Sequence, residues 1–78
     1  MSKTVENMSQ KDKALAVFLT DRDMLYYLVC NDPNAAKQAF NALDEDSKTH
    51  VRKAWEGLYR IHVMDTHIWK WTQENCSS

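Results

Sequence analysis

Apolar residues recur along this chain at intervals of three and four, the period of a helix face rather than the alternation of a strand. The clearest case is Val51, Ala54, Trp55, Leu58, Ile61 and His62, which share one side of a helix opened by Asp44-Glu45-Asp46. Three acids in a first turn complement the positive end of the helix dipole. Continued unbroken, that face would carry Asp65 at its centre, where a carboxylate is costly to bury. The simpler arrangement makes Asp65 the cap of a short last helix, Thr66 to about Glu74. Met64 and Trp69 then stand where a hydrophobic staple would close its start.

Upstream, Ser9 is placed to cap a first helix, with Asp12 three residues on as a weak capping box. Leu15, Phe18 and Leu19 fall on one side of it. Thr20, with Asp23 at the same offset, reads as the cap of a second helix over Asp21 to Cys30. The run Leu25-Tyr26-Tyr27-Leu28-Val29-Cys30 is apolar all round, which predicts the central and most buried element. A strand is rejected because a lone strand has nothing to pair with; one continuous rod of the first two helices is the alternative. Asp32-Pro33 is the sharpest boundary, aspartate suiting a cap and proline the first helical position. The third helix runs from Pro33 to about Leu43, with Ala36, Ala39, Phe40 and Leu43 on one stripe.

Composition supports this reading. A single glycine and a single proline cannot supply the tight turns of an all-β fold. With 44% hydrophobic residues and three tryptophans the chain is too apolar for disorder. The expected fold is all-α, a compact array of four to five short helices, with residues 1–8 as a flexible lead and 9–78 as one helical domain. A domain this small buries only about 60% of its unfolded surface, so its stability is marginal. Met1 to Gln10 is polar and holds no apolar leader segment, and no apolar stretch approaches the roughly 18 residues of a membrane span. A cytoplasmic setting is therefore expected, with Cys30 and Cys76 as free thiols and Cys30 packed as a small core hydrophobe. A Cys30–Cys76 bridge is the less favoured alternative.

Candidate chemistry is sparse. A phosphate loop, a dinucleotide fingerprint and a nucleophile elbow each need at least two glycines at fixed spacing. His62, Asp65 and His67 offer metal-ligand types, but histidines five apart do not stack on one helix face. Neither cofactor nor metal is expected, and no enzyme activity.

The formal net charge of −1 provides no general attraction to nucleic acid. Lys48, Arg52, Lys53 and Arg60 spread over the polar face of the fourth helix, with Lys70 beyond. They form the basis of an alternative reading, a small helical nucleic-acid-binding regulator. The aromatic pattern points elsewhere. Trp69 and Trp71, two apart on a helix, differ by about 200° in direction and cannot enter one small core together. One is expected to be a core anchor and the other to face outward; the staple from Met64 holds Trp69 close, which leaves Trp71 as the outward ring. Tyr59 and Val63 fall opposite the Val51–Trp55–Leu58 face. Trp, Tyr and Arg are the residues that anchor interfaces, so Trp71, Trp69, Tyr59, Val63, Arg52, Arg60 and Lys70 are the candidate partner-binding residues.

The ending Ile68-Trp69-Lys70-Trp71 faintly resembles that of the Hha-type modulators of bacterial nucleoid proteins. The Ala-Asp-His-Arg segment associated with that family is absent here, and no function is carried across. The expected function is a non-enzymatic small helical protein-binding module. Its character is that of a phage or mobile-element-encoded inhibitor or adaptor acting on a host protein complex. The expected partner is a protein, with a homodimer as one form of it; nucleic acid is the less favoured partner, and no membrane is expected.

Overall fold

Five short apolar stripes leave only one way to remove themselves from water: the helices must cross over a shared core. The computed structural model describes residues 8–76 and contains α1 (Gln10–Thr20), α2 (Arg22–Asn31), α3 (Pro33–Asn41), α4 (Glu45–Arg60) and α5 (Thr66–Cys76). Among the described residues there is no strand, and the fold is all-α. The fold measures 30 × 25 × 22 Å along its principal axes. The lead expected over residues 1–8 lies outside the described residues except for Met8, which is buried.

The helix starts follow the sequence closely. Ser9 accepts from the Asp12 N–H at 3.1 Å, Asp32 from the Ala35 N–H at 3.3 Å with Pro33 next, and Asp44 from the Ser47 N–H at 2.8 Å. Asp65 accepts from the Ile68 N–H at 2.9 Å, so the chain does break before α5. The cap of α2 is Asp21, not Thr20: its carboxylate takes the Met24 N–H at 3.0 Å. Thr20 instead belongs to the last turn of α1, where its hydroxyl donates to the Ala16 carbonyl at 2.6 Å. That break also rules out one rod from the first two helices.

The core is built around Trp55 of α4. It is fully buried, stacks on Phe40 of α3 at 5.4 Å between ring centroids, and donates its indole N–H to the Leu19 carbonyl at 2.9 Å. That bond also satisfies a carbonyl in the last turn of α1, which has no helical partner. Leu25, Leu28 and Val29 of α2, Val51 of α4 and Ile68 of α5 are part of the same interior.

Three expected faces are revised. On α1 the buried stripe is Asp12, Ala16 and Leu19, while Phe18 is 38% exposed and Leu15 is half-buried. Asp12 does not close a capping box; its carboxylate turns across to α4, accepting from the Ser47 hydroxyl at 3.0 Å and the Asp44 N–H at 3.3 Å. These donors offset the cost of burying it, and the positive end of the α4 dipole favours an anion there. On α2 seven of the ten residues are exposed, so this helix is not the most enclosed element. A ten-residue helix at the surface has one inward stripe, and Met24, Tyr26, Tyr27 and Cys30 fall outside it. Cys76, not Cys30, is the thiol in the core.

On α4 the apolar face stops early. Ile61 is 66% exposed and His62 is exposed, because the helix ends at Arg60. The Val63 N–H returns to the Leu58 carbonyl at 2.9 Å and the His62 N–H to Tyr59 at 3.1 Å, a Schellman closure. His62 takes the left-handed position of that closure, with φ of 64°. Ile61 and His62 are therefore turned out of the helical register that would have buried them.

Candidate functional site

The buried stripe of α5 is Ile68, Thr72 and Cys76. Trp69 and Trp71 flank it on either side, and both are half-buried. The division into one core anchor and one outward tryptophan is therefore not what the fold adopts. A separation of about 200° allows each ring to lie along an edge of the same stripe. Trp69 stacks on Tyr59 of α4, centroids 4.7 Å apart and planes 4° from parallel. Each of these two rings covers one face of the other. The Met64 side chain is buried in the core, and the ring that meets Trp69 is Tyr59. Trp71 borders a shallow hollow with His67, Lys70 and Glu74.

The basic candidates are dispersed in the same way. The Arg52 guanidinium lies over the Phe40 ring, 5.7 Å from its centroid, and the Lys48 ammonium lies over the same ring at 5.8 Å. Lys48 also faces Glu45 at 3.5 Å, and Arg60 pairs with Glu56 at 3.2 Å. Lys53 and Lys70 are exposed, in hollows they share with Glu56 and Glu74 respectively. Acidic residues thus interrupt the basic surface throughout.

The open aromatic surface lies on α2. Tyr27 is 62% exposed and Tyr26 48%, and Met24 is exposed on the same helix. Beside them runs an open groove of about 700 Å³. Its α2 wall holds Arg22, Asp23, Tyr26, Tyr27 and Cys30; its other wall is Val63 and Asp65, from the link between α4 and α5. Val63 is the one residue of the expected partner-binding set that lines it. Local sequence explains the geometry. Asp21 caps α2 and starts it, and the Schellman closure at Ile61 to Met64 ends α4 so that Val63 and Asp65 return against α2.

Within the groove the Tyr26 phenol faces Asp65, whose negative charge and hydrogen-bonding pull, with a smaller push from Cys30, hold the phenol above its usual pKa of 10.0. Asp65 accepts from the Ile68 N–H, and among the described residues no cation pairs with it. Arg22 is turned onto its neighbour Asp23, with Nη2 at 3.0 Å and Nε at 3.2 Å from the same oxygen.

The sequence reading missed Tyr26 and Tyr27 because it treated the whole run as core. One signal was present. Tyrosine carries a hydroxyl that needs a partner or water, and two adjacent tyrosines point about 100° apart on a helix, so both could not face inward. Among the described residues no three His, Cys, Asp or Glu side chains converge on a site that could hold a metal, and no helix is long and apolar enough to cross a membrane. No protein-family model, curated protein or solved structure matches the chain.

Proposed function

We propose that this chain is a protein-binding module with no catalysis of its own, an inhibitor or adaptor that works by occupying a surface of another protein. The observation that carries the reading is the pair Tyr26 and Tyr27, held outward on a capped helix beside an open groove of about 700 Å³. Large amphipathic rings exposed next to a concavity are costly to leave in water and are the residue type that anchors interfaces. Because α2 is fixed from behind by Leu25, Leu28 and Val29, the rings are presented by a rigid element and lose little freedom on binding. The partner surface is thus assigned to α2 and the α4–α5 link, with Val63 retained from the expected set.

The test is affinity capture from the native host with the parent chain and with the Tyr26→Ala/Tyr27→Ala double variant, both confirmed folded by thermal melting. The parent is expected to retain a discrete protein that the variant loses. Equal retention by both chains refutes the assignment to α2. Retention of duplex DNA at about 150 mM salt, abolished by Lys53→Ala with Lys70→Ala, would support the nucleic-acid alternative instead.

A further inference from the structure

The chemistry of the α2 groove narrows the kind of partner, on the reading that this groove is the partner site. Its lining carries two carboxylates, Asp23 and Asp65, against one guanidinium, Arg22. Arg22 is committed to one oxygen of Asp23, and among the described residues Asp65 makes no ion pair. The net negative charge of the groove's lining therefore lies at its Asp65 end. Beside it stand the tyrosine rings and the apolar Val63 side chain.

Three kinds of occupant can be compared. An anion, such as a phosphate group, would meet the Asp65 carboxylate and be repelled. A wholly apolar side chain would take water from Asp65 without replacing it, and stripping an ionised carboxylate is expensive. A cation on a long apolar stem satisfies both halves of the surface. Its stem lies on the rings and Val63, and its charge meets the carboxylate while being attracted to the tyrosine faces. Arginine suits this better than lysine. Its planar guanidinium has five donors, so it can engage an oxygen of Asp65 while stacking on an aromatic face, and it is more weakly hydrated than an ammonium.

We propose that the α2 groove receives an exposed arginine of the partner protein, its guanidinium on Asp65 and its stem against Tyr26, Tyr27 and Val63. The partner segment is basic, and binding weakens as salt rises.

The probe is the peptide acetyl-Gly-Arg-Gly-amide, titrated into the isotopically labelled chain and followed by amide chemical shifts. Its control is the same peptide with citrulline, which keeps the shape and loses the charge. The arginine peptide is expected to shift amides of α2 and of residues 61–65, and the citrulline peptide to leave them in place at equal concentration. Asp65→Asn is expected to weaken the arginine peptide about tenfold. Asparagine is itself a good helix cap, so this variant keeps α5 in place, and its melting temperature checks that it does. Equal shifts from the citrulline peptide, or unchanged affinity in Asp65→Asn, would overturn the proposal, as would a phosphoserine peptide or duplex DNA shifting these amides in preference to the arginine peptide. Capture separates this result from the broader reading. If the host protein is lost with Tyr26→Ala/Tyr27→Ala but kept with Asp65→Asn, the groove binds a protein and does not read arginine. If the arginine peptide binds and no host protein is captured, the groove chemistry stands and the module reading fails.

Discussion

At His62 the backbone adopts a conformation that its side chain disfavours. A φ of 64° at the position following the α4 C-cap is the left-handed geometry usually taken by glycine. Glycine removes the Cβ clash, though it also loosens the unfolded chain. His62→Gly is expected to raise stability by about 0.5–1 kcal/mol, read as a higher urea midpoint at unchanged slope. A lower midpoint would mean that the imidazole makes a contact worth more than the strain. Gly57, the chain's one glycine, stands inside α4 where nothing requires it: a Cβ there would meet no atom within 4 Å. The residue scale also explains how Asp12 is tolerated in the interior. One carboxylate oxygen takes two donors at the start of α4, joining the beginning of one helix to the beginning of another.

At the scale of elements, α5 is held by a polar-and-apolar stripe edged by two half-buried indoles. Each contributes through one side only, so Trp69→Ala and Trp71→Ala should each cost about 1–3 kcal/mol. Trp55→Ala should cost about 3–5 kcal/mol, because it empties the centre of the core. Trp69 and Tyr59 should also be coupled. A double-mutant cycle on the stacked pair is expected to return about 0.5–1.5 kcal/mol of interaction, measured by urea unfolding of the parent, the two single variants and the double variant. Additive costs would show that the stacking is geometric coincidence. For α2 the expectation is different: its outward tyrosines should contribute to recognition far more than to folding.

For the molecule as a whole, the two thiols provide a readout of the fold. Burial pushes Cys76 up to about 11, from a usual 9.0, with Lys37 and Arg52 opposing the shift weakly. The unfolded chain thus releases this proton near 9 while the folded chain holds it until near 11. The thiol's contribution is fully present below pH 9 and is lost as pH rises through 11, at about 1.4 kcal/mol per unit. Tyr26, also raised, acts in the same direction above pH 10. Comparing urea midpoints at pH 8.5 and pH 10.5 should show a smaller fall for Cys76→Ala than for the parent. Equal falls would place the titrating group elsewhere. In the same folded chain, exposed Cys30 should react with a thiol reagent at once and buried Cys76 only on unfolding.

Much of this fold was legible in the order of residues because helix starts are local events. A Ser or Asp side chain caps an N–H three residues away whatever the rest of the chain does, which is why Ser9, Asp32, Asp44 and Asp65 were readable as caps. The stripe of α3, and that of α4 as far as Leu58, were readable for a similar reason, their polar and apolar positions being well separated. Which side of α2 faces inward was not readable. Its run is apolar at nearly every position, so periodicity contains no preferred direction, and only packing against α1 and α3 selects Leu25, Leu28 and Val29. The same limit hid the groove. Tyr26 and Asp65 are far apart in sequence and meet only because α4 ends in a left-handed turn that returns the chain to α2. Local patterns determine where helices begin and what each can bury; tertiary packing decides which apolar residues are left outside, and it is those that a partner can reach.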